Sequence, residues 1–557
     1  GRLNLREHLH IGRPRLLAQL EVELLDGSRV TIASDESWSW ADGPVRRDNV
    51  YLGEVYDARA ERPGWCEPGQ DALGWAPARL DPTPVGPLHA QAAPPIRVLG
   101  TLPAVGRHEP TPGTYVFDLG ENFAGWVRLR VEGPAGTSVR LRYGELLHAD
   151  GTLNPLTSVC GQIKGPGVGG PGAPDVAVQE DTYVLRGGGP ETWTPRFTFH
   201  GFRYVEVTGW PGEPPLDAIA GLPLGCDLEP VGTFASSGER LARIDAMVLC
   251  TFRSNVLGVQ SDCPHRERFG YGGDIVATAE AFLGAFDMAG FYAKTVRDLA
   301  DDADADGVFP MTAPYVGIAY AGLEEGGSPI GWSLAHPVLV REAVRYHGDL
   351  ALAAEQYQAL RHYVEYLRSQ AGERGILERG LSDHESLEER PVRVTSTAFY
   401  AQAARILADL ADLLGREDDA HEYAALAARI ERDFTGELVA ADTGVVDNGG
   451  QAAQAIALAE GLVPVELREA VLGRLLDDPG LWEGRLSTGI FGTPALLEAL
   501  SANGRTDLAW ALVDRDEFPG WGHMLASDAT TLWEHWELSE NTFSPVSYTH
   551  LRAHETK

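Results

Sequence analysis

The sequence predicts a multidomain protein in which N-terminal all-β sandwich domains precede an all-α domain. Three observations carry this. At 557 residues the chain exceeds what one hydrophobic core usually holds. Up to about residue 225, apolar and polar residues alternate with period two between Gly and Pro breaks. After Thr233 the apolar period lengthens to three or four.

In the first region, Leu20, Val22 and Leu24 alternate with Glu21 and Glu23, and an Asp26-Gly27 turn leads to Val30 and Ile32, which reads as a hairpin with one wet face. The alternation returns at Trp126–Val131, Val139–Tyr143 and Phe202–Val207. Two sandwich units follow, 1–95 and 96–225, with the boundary in the proline-containing stretch 82–110.

The helical region opens with Ser236 and Glu239, spaced as a capping box, and continues with Leu241, Ile244, Val248 and Phe252 on one face. Further amphipathic stretches lie at 274–300, 330–346, 350–368, 394–414, 417–434, 449–460, 464–477, 494–503 and 505–514. About ten helices with no strand between them fit a bundle, an α-solenoid or a toroid of paired helices, and periodicity does not choose among these.

Composition removes several functions. The formal charge of −34 argues against nucleic acid and against an anionic membrane surface, both of which need clustered Lys and Arg. Five scattered cysteines show no disulfide or metal-ligand spacing, so neither a metal nor a cofactor is expected. Cys263 reads as a buried packing residue. No apolar run is long enough to span a membrane. The sparse cysteines tilt towards the cytoplasm without fixing a compartment, and the chain carries no signal for an oligomeric state. The Gly-rich stretch 165–172 lacks the strand, Lys and helix of a phosphate loop and reads as a surface loop.

Two clusters could carry chemistry. The first, Asp262-Cys263-Pro264-His265-Arg266-Glu267-Arg268-Phe269-Gly270-Tyr271-Gly272-Gly273-Asp274, packs ionisable residues among aromatics and glycines. A solvated interhelical loop with local ion pairs would have a similar composition. The second, Ser527–Glu537 with Trp521 and His523 ahead of it, sets Trp533 and Trp536 beside Glu534, His535 and Glu537. Such aromatics suit the C–H face of a sugar, although a packed helix end would read alike. Glycoside hydrolysis needs two separated carboxyl groups, and Glu267 and Glu534 could supply them only by meeting across a fold.

The stretch Asp262–Asp274 resembles the signature loop of the bacterial α-L-rhamnosidases of glycoside hydrolase family 78. Gly53-Glu54-Val55-Tyr56-Asp57-Ala58-Arg59, Asp118–Trp126 and Pro195–Tyr204 resemble landmarks of the β-domains of that family, in the same order. The resemblance runs to about Ser544. It implies a concanavalin-like domain at 96–225, an (α/α)6 barrel at 230–544 and an inverting mechanism. Glu267 would be the general acid and Glu534, in Ala-Thr-Thr-Leu-Trp-Glu, the general base. Asp262, Arg266 and Asp274 match positions that hold sugar hydroxyls, and Trp332 matches a pocket aromatic. Tyr271, His384 and Trp533 complete the expected substrate-binding set. The substrate would be a rhamnose-containing glycoside or oligosaccharide. Glu267 would have to keep its proton beside Asp262 and Asp274, and the two catalytic carboxyls would stand roughly 6.5–9.5 Å apart.

The sequence departs from the family pattern. Tyr271 stands where Trp is commoner, His265 where Gln is usual, and Asp528 where Gly is usual; Ser382-Asp383-His384 replaces Gly-Asp-Trp, and one acidic residue before Glu267 is absent. Residues 545–557 (PVSYTHLRAHETK) resemble a translated sequencing adapter and are set aside from the fold. An Asn-His pair, closing helices and a small β-domain would be expected in their place. Two rival readings are another (α/α)6 hydrolase, of α-L-fucosidase or β-L-arabinofuranosidase type, and a non-catalytic carbohydrate-binding protein.

Overall fold

Alternating segments become sheet because period two places every apolar side chain on one face. The computed structural model describes residues 2–3, 15–69, 74–82, 86–158, 179–319 and 328–537. The glycine-rich stretch 165–172 and residues 545–557 lie outside the described residues.

The dominant strand, Thr114–Val131, pairs antiparallel with His200–Thr208 on one side and Ile219–Cys226 on the other. Among the described residues the sheet contains eleven strands, and its main path runs Val45–Asn49, Gly53–Asp57, Glu180–Val184, Ser138–Gly144, His200–Thr208, Thr114–Val131, Ile219–Cys226, Ile96–Val98. Strands from both sides of residue 95 therefore share it. The join is the parallel pairing of Gly53–Asp57 with Glu180–Val184. Gly53 makes this approach possible: its φ is +82° and an added Cβ would lie 2.0 Å from the Glu180 carbonyl oxygen. The inward residues Val127, Leu129, Leu141, Phe202, Val205 and Val207 are fully buried, each contributing about 1.5–3 kcal/mol of apolar transfer free energy.

The expected hairpin forms from Gln19–Glu23 and Arg29–Ala33, in the register Leu20↔Ile32 and Val22↔Val30. Its apolar side differs from expectation: Leu20, Leu24, Val30 and Ile32 are exposed among the described residues.

A second core fills the helical region. The helices Glu239–Asn255, Gly272–Ala285, Ala289–Asp301, Ala335–His347, Leu350–Ala371, Val392–Leu413, Glu417–Leu438, Gln451–Ala459, Val465–Leu476, Gly492–Ala502 and Thr506–Val513 succeed one another. They pack in pairs, such as Val392–Leu413 on Glu417–Leu438 and Gln451–Ala459 on Gly492–Ala502. Two differences have local causes. The capping box is not made: the helix begins at Glu239, and Ser236 Oγ instead accepts from Gly238 N at 3.0 Å. The single stretch read at 274–300 is two helices, because Phe286 is extended and Asp287 Oδ1 accepts from Ala289 N at 3.0 Å to start the next. No described helix is long and apolar enough to cross a membrane.

Candidate active site

The first ionisable cluster is a loop tied to itself. Asp262 Oδ1 accepts from Phe269 N at 3.0 Å and its Oδ2 accepts from the Cys263 thiol at 2.8 Å. Cys263 Sγ in turn accepts from Glu267 N at 3.2 Å. Asp262 is thus buried in shaping the loop. Burial, and then the charge of Glu267, hold its carboxyl well above the usual carboxylate range.

The sheet braces this loop. The hairpin tip between Val45–Asn49 and Gly53–Asp57 carries Tyr51, whose hydroxyl donates to the Glu267 carbonyl at 2.9 Å. Arg268, at φ +63°, is buried with its guanidinium 4.3 Å from the Phe199 ring centroid and donates to Gln179 Oε1 at 3.1 Å. Gly201 lets the strand His200–Thr208 come close: an added Cβ would stand 2.7 Å from His265 Cβ.

Glu267 and Tyr271 are half-buried, and the Tyr271 hydroxyl donates to Glu267 Oε2 at 2.8 Å. Arg266, beside Glu267 in sequence, is paired with Glu534 Oε2. One arginine therefore joins the two predicted carboxylate stretches. Asp274 sits in the first turn of Gly272–Ala285, 1% exposed, and that helix start rests on Trp332, 4% exposed. Trp332 stands edge-on to His384 at 5.5 Å and to Phe491 at 6.0 Å. Trp533 is 1% exposed and packs edge-on against His523, so it braces the segment behind Glu534. Of the nine predicted site residues, Glu267, Tyr271, His384 and Glu534 retain partial exposure. Arg266, Asp262, Asp274, Trp332 and Trp533 form the backing.

The segment carrying Glu534 is pinned to the sheet. Thr530 Oγ1 accepts from Asn122 N at 2.8 Å, and Asn122 Nδ2 donates to Thr531 Oγ1 at 3.1 Å and to Glu145 Oε1 at 2.9 Å. Arg203 bridges Asp118 and Asp528. Glu145 Oε2 lies 3.5 Å from His265 Nε2. Burial pushes the Glu145 carboxyl up to about 8, against hydrogen bonds from Asn122 and Thr157.

Two residues, Asp383 and Glu385, were not among those expected at the site. Asp383, fully buried, accepts from Gly489 N, Phe491 N and Gly492 N at 2.6–2.9 Å, and burial raises it to about 6. Glu385 Oε1 lies 3.2 Å from His384 Nε2 and its Oε2 lies 2.5 Å from His535 Nδ1. Burial would raise Glu385, but His535 and His384 outweigh it and hold the carboxyl at about 2. The adjacency of His384 and Glu385 was the available signal; their meeting with His535 was not readable.

Two other hollows, of about 250 Å³ beside Phe252 and Phe286 and about 490 Å³ beside Arg107 and Glu213, contain none of these groups. Among the described residues no cluster of His, Cys, Asp and Glu has metal-holding geometry.

A β-rich region followed by paired helices, with the segments that carry Glu267 and Glu534 joined through Arg266, defines the six-hairpin glycosidase class of fold. The family model for the bacterial alpha-L-rhamnosidase 6 hairpin glycosidase domain matches residues 229–554, that for the concanavalin-like domain matches 108–224, and that for the N-terminal domain matches 2–100. The chain belongs to the bacterial α-L-rhamnosidases of glycoside hydrolase family 78. An alpha-L-rhamnosidase of Streptomyces avermitilis is 37% identical over 95% of this chain and 49% of its own length. The crystal structure of the S. avermitilis enzyme complexed with L-rhamnose superposes with a TM-score of 0.87, at 35% identity, over 96% of this chain and 50% of that one. The alpha-L-rhamnosidase structure from Dictyoglumus thermophilum gives 0.88 at 32% identity, over 96% and 59%. The chain spans 49–59% of the curated relatives it matches.

Proposed function

We propose that this chain carries the catalytic site of an inverting hydrolase that releases terminal α-L-rhamnose from rhamnosides. The observation that carries the reading is the Arg266–Glu534 pair, which brings the second carboxylate to the residue next to Glu267. The L-rhamnose bound by the S. avermitilis relative supports the sugar.

Glu267 donates its proton to the glycosidic oxygen as the bond to C1 breaks, while Glu534 takes a proton from a water attacking the opposite face. The Tyr271 hydroxyl occupies Glu267 Oε2, which leaves Oε1 to carry the transferable proton. Arg266 occupies Oε2 of Glu534, and the remaining lone pairs of that carboxylate accept the proton of the water. Asp262 and Asp274, with Trp332, His384 and Trp533, shape the pocket around the sugar. The product leaves with inverted anomeric configuration.

Hydrolysis of aryl α-L-rhamnoside, with none of aryl α-L-fucoside or aryl β-L-arabinofuranoside, is the expected result. Glu267→Gln and Glu534→Gln should each lower kcat by about 10²–10⁴-fold with little change in KM. Early proton NMR of the product should show the β-anomer first. Unchanged turnover in either variant, or the α-anomer first, removes the corresponding assignment.

A further inference from the structure

Between the helices Leu350–Ala371 and Val392–Leu413 the chain runs Ser382-Asp383-His384-Glu385. The backbone here is unusual: Ser382 has φ +58° and Glu385 φ +60°, a left-handed conformation that non-glycine residues adopt only when the surroundings enforce it. The enforcement is visible. Asp383 takes three backbone N–H groups from 489–492, Ile490 N donates to the His384 carbonyl at 2.9 Å, and Leu387 N donates to the Ser487 carbonyl at 2.9 Å. A loop held this tightly in a strained shape delivers its side chains to fixed places.

The side chains delivered are His384 and Glu385, and they meet His535, the residue after Glu534. Glu385 sits between the two imidazoles, with Arg390 Nη2 at 4.0 Å. Its side chain is 19% exposed and that of His535 30%, against 16% for Glu534. Glu534 is thus flanked by Arg266, which it contacts, and by His535, which Glu385 clamps.

Resting on the hydrolase reading above, we propose that Glu385 is a positioning residue for Glu534: through His535 it fixes the segment bearing the base and keeps a second cation, besides Arg266, beside that carboxylate. The ionisable groups around the clamp are His384 and Arg390 on the loop side, and Glu534 and Arg266 on the other. Burial works against the charge on His535, and the hydrogen bond and charge of Glu385 overcome it and raise the imidazole above its ordinary range.

The test is a double-mutant cycle on this chain with Glu385→Gln, His535→Gln and the pair, read on aryl α-L-rhamnoside. Each single variant should lower kcat by about 10–100-fold, with KM changed by less than about threefold, because displacement of a reacting group costs rate more than affinity. The double variant should be no worse than the poorer single one, since both remove the same clamp. Histidine NMR should show the His535 titration midpoint moving to lower pH in Glu385→Gln. Losses that multiply in the double variant, a raised KM at unchanged kcat, or an unmoved His535 midpoint would each overturn the proposal. Failure of the wild-type chain to hydrolyse any of the aryl glycosides would instead overturn the hydrolase reading, and the NMR titration, which needs no substrate, would still decide the clamp.

Discussion

Glu145 lies in the sheet domain, yet its surroundings join the two stretches proposed to carry the catalytic carboxyls: Asn122 links it to Thr531, and His265 lies beside it on the Glu267 loop. Its folded carboxyl titrates at about 8, against 4.5 when free, so the folded protein binds this proton more tightly than the unfolded chain. The stabilisation it gives is whole below about pH 4.5 and is lost as pH rises through about 8. Asp383, raised to about 6, acts in the same direction at lower pH. Glu145→Gln stays neutral throughout, so its melting temperature should fall less between pH 5 and pH 9 than that of the parent. Equal slopes in thermal scans would remove Glu145 as the source. No sequence feature announced this residue, because its proton affinity comes from burial by chain far away.

At the scale of elements, Gly272 and Gly273 explain how a helix can start against an aromatic wall. A Cβ on Gly273 would lie 2.5 Å from the Trp332 ring, and one on Gly272 would lie 2.0 Å from the Trp332 carbonyl. Gly273→Ala should therefore cost about 1–3 kcal/mol by overpacking and lower kcat as well, since Asp274 and Tyr271 flank the displaced turn. Urea titration and steady-state kinetics check both, and an unperturbed variant would show that the helix start is free to shift. Most long helices were legible from their apolar stripe. The break after Ala285 was not, although Gly284 precedes it, because it is set by the extended Phe286, which bridges to the distant Pro230. The short helices Pro479–Trp482 and Trp521–Ala526 were missed because four to six residues cannot display a period.

For the whole molecule, the sheet domain acts as a frame for the candidate site: Tyr51, Gln179, Asn122 and Arg203 hold the Glu267 loop and the Glu534 segment from outside the helical domain. The contacts differ in weight. Asp528→Asn weakens only the bridge to Arg203, on a side chain that is 80% exposed, and should change stability by about 0–1 kcal/mol. Asn122 is buried with several partners, so Asn122→Ala should cost about 1–3 kcal/mol and reduce kcat more than KM. Denaturation and kinetics of the two variants side by side check the ranking; a larger loss in Asp528→Asn would reverse it.

Local information in the sequence was sufficient for the order of a β-rich region before a helical one, for the hairpin around Asp26-Gly27 and for most helices. Each of these is written in period or in turn chemistry. Only the tertiary structure decided that Arg266 reaches Glu534, that Glu385 clamps His535, that Trp533 braces instead of lining an open face, and that strands on both sides of residue 95 share one sheet. Most of those outcomes depend on burial and charge between residues more than a hundred positions apart, and such terms exist only once the chain has closed on itself.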